Sequence, residues 1–365
     1  MKKKLVSMLL CVTMVSAMVM GCGSSSEEKT EEPAEETQEE TEDEAENDGE
    51  LTLFEQALAQ VDEDFAPLPA KDSGVKLAAI ESTLANSFWV TMQEGYEDAA
   101  AEYGVEIDVQ ATDSDTDTEG QLNILENMLI KDYAAIAVSP LTGDCLISGI
   151  VNANNEEVPI ITTGNEVDAE ALKAAGGTLA GMITVDFKSQ GEMGAQYIVD
   201  NNKSDSKKVA IIAGNEGGTQ ADARRDGAKE AFEAAGYEVV AVEQCDFDVQ
   251  KAYDAAAAIM EKNPDLAGFA CGNDDMALGV VKALQEKDLK DQVMVVGVDF
   301  TEEAKEAIAE GTYDATVAMS PYLMGREAVI MMLKALEGQE VSSIGDSTPM
   351  ALVNADNVAQ MSDWH

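Results

Sequence analysis

The 365-residue chain is short of several residue types on which many active sites depend. Its one histidine is His365, so Ser-His-Asp and Cys-His catalysis and the commoner His-ligated metal centres are excluded. Basic residues number 23 against 71 acidic ones, and the net charge of −48 argues against nucleic acid and anionic membrane surfaces as partners. We expect no cofactor and no metal. The many carboxylates are interpreted as a solvated acidic surface rather than a catalytic pair.

Cysteine is also scarce, with five residues in the whole chain. Cys145, Cys245 and Cys271 lie in the part predicted to fold, and they show no CxxC spacing of the kind that zinc sites use. Cys245 and Cys271 each come at the end of a predicted strand. Buried free thiols are expected, while a disulfide between these two remains open.

The N-terminus begins with three lysines, followed by an apolar run over residues 5–20 and by Gly21-Cys22. This pattern is typical of a secretory signal and is short for a membrane-spanning helix. A cysteine directly after a small residue resembles the lipobox of bacterial lipoproteins. The resemblance implies a signal peptide over 1–21, lipidation of Cys22 and a place on the outer face of the cell membrane. The alternative is an ordinary signal peptide in which Cys22 has no role.

Residues 27–50 contain fourteen acids and one lysine. Such a segment cannot bury a core, so we predict a disordered acidic tether over 22–70. Subtracting +3 for the signal and −13 for residues 27–50 leaves −38 for the remainder. That remainder is long enough for two lobes of ordinary domain size.

Short β-branched runs alternate with helical patterns as far as residue 309. The predicted strands cover residues 75–80, 105–110, 134–138, 159–162, 182–185, 208–212, 238–242, 268–271 and 293–298. The predicted helices cover residues 88–103, 118–131, 143–155, 188–201, 221–235, 249–261, 275–286 and 302–309. This alternation, repeated twice, predicts two doubly wound α/β lobes with parallel sheets. Right-handed crossovers then place the loops that follow the strands at one edge of each sheet, where ligands bind.

Several of these loops carry motifs that together resemble one family. The motifs are STLANSFW at 82–89, DFD at 246–248, GNDDMALG at 272–279, VVGVD at 295–299 and ALVNADNV at 351–358. In this order and spacing they resemble the ribose-type substrate-binding proteins of the periplasmic-binding type 1 family, over residues 74–358. The family implies two lobes that trap a ligand between them.

The resemblance also implies three segments that cross between the lobes, near residues 185–186, 319–320 and 346–347. The N-terminal lobe would then comprise 71–185 plus 320–346. The C-terminal lobe would comprise 186–319 plus 347–365.

A sugar presents apolar C–H faces and a rim of hydroxyls, so its site needs aromatic rings and planar polar groups. Aromatic residues make up only 5% of the chain, yet Phe88, Trp89 and Phe247 fall on predicted loops at the binding edge. The resemblance, together with this chemistry, implies ligand contacts at Ser82, Asn86, Phe88, Trp89, Asn165, Asp222, Arg224, Phe247, Asn273, Asp299 and Met319. Packing remains an alternative role for the aromatic residues, and helix capping or turn formation for the amides and Asp299.

Three departures from the family pattern bear on the ligand. Gly164-Asn165 replaces an Asp-Arg pair, and Met319 stands where ribose binders carry an amide. The family's arginine aligns best with Asp222, although a one-residue shift would bring in Arg224 or Arg225. We therefore expect a less cationic and more apolar pocket than that of ribose binders, suited to a neutral polyol, a modified sugar or a small signal molecule.

The resulting prediction is a monomeric, lipid-anchored, extracytoplasmic solute-binding protein that delivers a small neutral ligand to the membrane subunits of an ABC importer. It is not expected to be an enzyme, since no Walker, nucleophile-elbow or GxGxxG signature occurs. The alternative is a sensory or signalling binding protein of the same fold. A nucleoside is an alternative ligand, because Trp89 and Phe247 could also hold a base.

Overall fold

Two six-stranded sheets form the centre of the protein. The computed structural model describes residues 51–339, the backbone of 344–345, and residues 350–365. The strands are β1 (Lys76–Thr83), β2 (Glu106–Thr112), β3 (Ala135–Val138), β4 (Ile160–Thr163), β5 (Gly181–Thr184), β6 (Lys208–Ala213), β7 (Glu238–Gln244), β8 (Gly268–Cys271), β9 (Met294–Asp299), β10 (Ala315–Ala318), β11 (Ile344–Gly345) and β12 (Ala351–Asn354).

The two sheets have the same strand order. The first sheet runs β11-β5-β4-β3-β1-β2 and the second runs β12-β10-β9-β8-β6-β7. All neighbouring strands are parallel except β10 and β12, which pair antiparallel. The order reverses between β1 and β3 in the first sheet and between β6 and β8 in the second. Ligands bind at such switch points, beyond the carboxyl ends of the strands.

Helices cover both faces of each sheet. They are α1 (Leu53–Asp64), α2 (Ser87–Tyr103), α3 (Thr118–Leu129), α4 (Ile147–Asn155), α5 (Ala169–Ala174), α6 (Phe187–Asn201), α7 (Thr219–Ala234), α8 (Val249–Lys262), α9 (Asp274–Gln285), α10 (Glu302–Ala309) and α11 (Pro321–Leu336), with a 3₁₀ helix over Val358–Met361. Alternate residues of the strands pack into different cores: Ala79 faces one side of its sheet and Ile80 the other. The prediction of two doubly wound α/β lobes is therefore confirmed.

The predicted strands and helices are all present, with boundaries that differ by a few residues. The structure adds elements that the pattern did not indicate, chiefly β10, α11 and β12 after residue 309, and α5 in the connection after β4. Nearly every side chain from Pro321 to Lys334 in α11 is buried. A helix buried on all sides has no polar stripe, so its sequence lacks the period that reveals an amphipathic helix.

The predicted tether boundary at residue 70 is wrong, because α1 lies within it. Thr52 accepts a hydrogen bond from the backbone N–H of Glu55, whose carboxylate accepts one from the N–H of Thr52. This capping box starts the helix, and Ala57 and Val61 are buried. The apolar stripe is easily overlooked among the surrounding acids.

The chain passes from the first sheet to the second after β5 and returns after β10. A third passage joins β11 to β12, and the predicted crossing at 346–347 lies outside the described residues, as do residues 1–50 with Cys22. No helix of the described part is long and apolar enough to span a bilayer.

Cys245 and Cys271 are buried free thiols. Cys245 follows β7 and Cys271 ends β8, and β6 lies between these two strands. Two strand spacings amount to about 9.5 Å, beyond the ~7 Å between Cα atoms that a disulfide can bridge.

Candidate ligand-binding site

The loops at the carboxyl ends of the two sheets meet and enclose a cavity. The Asn215 amide donates to the Leu141 carbonyl oxygen at 2.8 Å, and the Gly143 N–H donates to the Gly217 oxygen at 3.2 Å. The cavity has about 270 Å³ of empty volume, part of it open to solvent. It is lined by Asn86, Phe88, Trp89 and Asp115 of the first lobe and by Gln220, Arg224, Phe247, Asn273 and Asp299 of the second.

The first turn of α2 supplies the aromatic wall of the first lobe. Asn86 caps the helix by accepting a hydrogen bond from the Phe88 N–H at 2.8 Å. Phe88 and Trp89 follow, with ring centroids 5.0 Å apart in an edge-to-face arrangement. Both rings are largely buried yet line the cavity, so packing and ligand contact are compatible roles here.

Phe247 supplies the aromatic wall of the second lobe. Asp246 and Phe247 both have left-handed backbone conformations, with φ of 51° and 58°. This turn lays the Phe247 ring over Gly214, where an added Cβ would lie 2.2 Å from the ring. A side chain at position 214 would therefore displace the ring from the cavity.

Arg224 is buried in the cavity wall. Its Nε donates to the Gln190 Oε1 atom at 2.7 Å and its Nη1 to the Gly272 carbonyl oxygen at 2.8 Å. Its Nη2 lies 3.5 Å from the carboxylate of Asp299. The helix thus places Arg224 rather than Asp222 at the cavity, as the one-residue shift in the alignment would require, while Gly164-Asn165 still stands in place of the Asp-Arg pair.

A strained turn presents Asp299. Asp299 and Phe300 have positive φ angles of 116° and 66°. Asp274 holds the turn by accepting hydrogen bonds from the backbone N–H groups of Phe300 and Thr301, at 2.7 and 3.1 Å. Burial raises the pKa of Asp274 to about 7, although the hydrogen bonds that it accepts oppose this shift.

Asn273 offers the cavity a donor. Its side-chain oxygen caps α9 through the Met276 N–H at 3.0 Å. Its Nδ2 group is buried and has no hydrogen-bond partner among the described residues. Because an unpaired buried donor costs free energy, this group is suited to a ligand acceptor.

The carboxyl groups of the cavity disfavour further negative charge. Burial raises the pKa of Asp115 to about 6, while a hydrogen bond from Ser82 acts in the opposite direction. Burial also raises the pKa of Asp299 well above its usual range, against the attraction of Arg224. Such groups can pair with ligand hydroxyls, and they are unfavourable neighbours for an anionic ligand. No cluster of metal-binding side chains occurs in the described part of the chain.

Four predicted contact residues lie outside the cavity lining. Ser82 is buried near the end of β1 and hydrogen-bonds to the carboxyl group of Asp115. Asn165 donates to the Pro140 carbonyl oxygen at 3.0 Å. Asp222 is half-exposed and pairs with Arg225. Met319 is buried at the second crossing, where its sulfur accepts a hydrogen bond from Gln190 at 3.2 Å.

Asp115 and Gln220 line the cavity but were not predicted. Asp115 follows β2 at the binding edge of the first sheet, and Gln220 lies in the first turn of α7. The position after a strand was an available signal for Asp115. It stands in an acid-rich stretch, where single carboxylates are hard to distinguish.

Comparison with known proteins identifies the family. The periplasmic binding protein domain family matches residues 78–340. The chain belongs to this family. The D-allose-binding periplasmic protein of Escherichia coli is 33% identical over 289 residues, which cover 79% of this chain and 93% of that protein. A ribose import binding protein of Haemophilus influenzae is 29% identical, covering 73% of this chain and 87% of that protein.

A solved periplasmic binding protein has the same fold. It is an ABC-transporter solute-binding protein from Actinobacillus succinogenes with bound D-allose, and it superposes with a TM-score of 0.72 at 26% identity. The match covers 78% of this chain and 99% of that one. These relatives are transport binding proteins, which confirms the prediction that the chain is not an enzyme. Helix α1 precedes the matched family domain.

Proposed function

We propose that this protein is an extracytoplasmic, lipid-anchored receptor that captures a neutral monosaccharide or polyol and delivers it to an ABC importer. One observation carries the proposal: Phe88 and Trp89 of one lobe and Phe247 of the other line a single cavity together with amide, carboxyl and guanidinium groups. Aromatic rings suit the C–H faces of a sugar, and the polar groups suit its hydroxyls.

The charge of the cavity supports a neutral ligand. Arg224 lies 3.5 Å from the carboxyl group of Asp299, and Asp115 lines the same cavity, so the cationic group is accompanied by acids that disfavour an acidic sugar. D-allose is the first probe to test, because it is named for both the Escherichia coli relative and the Actinobacillus succinogenes structure.

Calorimetric titration of the purified protein with D-allose, D-ribose and adenosine tests the ligand class. We expect heat of binding from a monosaccharide and none from adenosine. Binding of adenosine without binding of either sugar would support the nucleoside alternative and contradict the proposal.

Substitutions in the aromatic walls test the site itself. Trp89→Ala and Phe247→Ala each remove one apolar wall, so we expect affinity to fall by about ten- to a hundredfold. Arg224→Ala should weaken binding comparably because it removes hydrogen-bond donors that line the cavity. Arg225→Ala is the matched control, since Arg225 pairs with Asp222 and Asp226 outside the cavity. Unchanged affinity in both aromatic variants would refute the sandwich of the ligand between the lobes.

The anchor is tested at Cys22. If Gly21-Cys22 is a lipobox, Cys22→Ala should abolish lipidation, and the protein should be released or remain unprocessed. The measurement is the partition of the protein between membrane and soluble fractions. Normal processing and membrane retention of the Cys22→Ala protein would exclude the lipid anchor.

A further inference from the structure

Side chains of helix α6 contact Arg224, in addition to the residues that line the cavity. Its Nε donates to the side-chain oxygen of Gln190 at 2.7 Å. The ring of Phe187, one helical turn earlier, lies 5.5 Å from the guanidinium carbon. Gly272 and Asp299 accept from the two remaining nitrogens. A guanidinium has five N–H groups, so two remain to face a ligand.

The orientation of the Gln190 amide is fixed by chemistry. Arginine can only donate, so the amide oxygen must face Arg224 and the amide nitrogen must face the other way. That nitrogen donates to the sulfur of Met319 at 3.2 Å. Met319 is buried at the second crossing, and its carbonyl oxygen accepts from the Trp364 indole N–H at 3.1 Å.

The close approach of α6 and α7 brings Gln190 to Arg224. Gly191 packs against the backbone of α7, where an added Cβ would lie 2.0 Å from the Arg224 carbonyl oxygen. Gln190 is fully buried beside this contact. Its amide therefore connects a ligand-site residue with the second crossing, while α6 itself begins directly after the first crossing.

We propose that Gln190 is a positioning residue that fixes the guanidinium of Arg224 in the ligand site and, through Met319, links its orientation to the second crossing. The inference rests on the proposed function only in that the positioned group serves ligand binding. It also accounts for Met319 at a position where ribose binders carry an amide. In this chain an amide reaches the same region from α6, and it contacts Arg224 instead of lining the cavity.

The consequence for binding is selectivity as well as affinity. Because the two free N–H groups of Arg224 form a rigid fork, its orientation decides which pair of ligand hydroxyls can accept from it. Substitution of Gln190 should therefore change the preference of the site among sugars that differ in the orientation of a hydroxyl. If Gln190 had a merely structural role, its substitution would weaken the binding of all these sugars equally.

The first test needs no ligand. The chain contains only three arginines, Arg224, Arg225 and Arg326, so their Nε–H signals can be assigned by single Arg→Lys variants in nitrogen-15 spectra. In Gln190→Leu the Arg224 signal should shift, and its hydrogen exchange should accelerate at least about tenfold, because its acceptor is lost. Gln190→Glu keeps an acceptor oxygen and should restore most of the protection.

Gln196→Leu on the same helix is the control, since Gln196 is bonded to Asp200 on the surface. If Gln190→Leu does not fold, Met319→Leu removes the sulfur acceptor at similar volume and should produce a smaller change in the same direction. An Arg224 signal that is unchanged in whichever of these variants folds would overturn the proposal.

The second test measures binding of D-allose and D-ribose. Gln190→Leu should weaken the better-bound sugar by about ten- to a hundredfold and alter the ratio of the two affinities. Equal weakening of both sugars, or none, would contradict the positioning role. If neither sugar binds the unmodified protein, the proposed ligand class fails, while the arginine spectra still decide the role of Gln190.

Discussion

Glu81 in β1 carries a buried carboxyl group. Its side chain is fully buried, and neither carboxyl oxygen has a hydrogen-bond partner among the described residues. Burial raises its pKa to about 9, and the charge of Glu97 adds to this effect. The group is therefore neutral in the folded protein at neutral pH, because an isolated buried charge would be too costly.

This raised pKa predicts a specific pH dependence of stability. Between the ordinary pKa of 4.5 and about 9, the folded state holds a proton that the unfolded state has lost. Stability therefore falls as pH rises through this window, by about 1.4 kcal/mol per pH unit. Glu81→Gln removes the titration, so its free energy of unfolding relative to the unmodified protein should rise by about 2–3 kcal/mol from pH 6 to pH 8.

Urea unfolding at pH 6, 7 and 8 measures this difference. The same substitution at Glu94, an exposed residue of α2, controls for the general loss of a negative charge. Parallel pH profiles for Glu81→Gln and the unmodified protein would contradict the assignment of a neutral buried Glu81.

At the scale of single residues, the sequence predicted which polar and aromatic residues follow strands. It did not predict which side chains of a helix face the cavity. Asn86, Phe88 and Asn273 stand next to strand ends, and the structure places all three at the cavity. Asp222 and Arg224 share the first turns of α7, and the difference between them is a rotation of the helix about its axis. That rotation is set by packing against α6, which no local pattern reveals.

At the scale of elements, α1 is the clearest addition to the sequence-based expectation. Arg326 of α11 forms an ion pair with Asp62 at 2.9 Å, and the Lys334 ammonium donates to the carbonyl oxygen of Phe65 at 2.5 Å. The Phe54 ring also lies 4.3 Å from the ring of His365. Helix α1 thus packs on the folded body although an acidic segment precedes it.

We expect α1 to contribute to the stability of the whole fold. Val61 is fully buried, so Val61→Ala should lower the free energy of unfolding by about 2 kcal/mol through lost burial and a small cavity. Glu63→Ala, at an exposed position of the same helix, should change it by less than about 0.5 kcal/mol. Chemical denaturation measures both variants. Equal stability of the two would mean that α1 behaves as part of the tether.

Helices and strands whose apolar residues recur with a clear period were predictable from the sequence, whereas elements without such a period were not. The alternation from β1 through α10 shows apolar runs of strand length between amphipathic stretches, and its strands and helices other than the six-residue α5 were identified. Helix α11 is buried on all sides and β11 has only two residues, so their sequences carry little periodic signal. Their places follow from the tertiary fold, in which the chain returns to complete both sheets.

At the scale of the whole molecule, the site exists only where both lobes meet. Hydrogen bonds join the loops across the cleft, among them Asn215 to Leu141 at 2.8 Å and the Thr219 hydroxyl to the Glu166 carbonyl oxygen at 3.2 Å. A ligand held between the aromatic walls contacts both lobes only when they are closed. Its binding energy must therefore favour the closed arrangement.

Closure should be visible in solution as a change of size and of stability. Saturation with D-allose, or with whichever monosaccharide binds, should reduce the radius of gyration in small-angle scattering, because the lobes approach one another about the crossings. At a hundred times the dissociation constant, ligand should also stabilise the protein by about 2.7 kcal/mol and raise its melting temperature. Arg225→Ala should close like the unmodified protein, whereas Trp89→Ala should need more ligand. A scattering profile that stays the same while calorimetry records binding would show that the lobes do not move, and the ligand would then have to enter a cleft that is already closed.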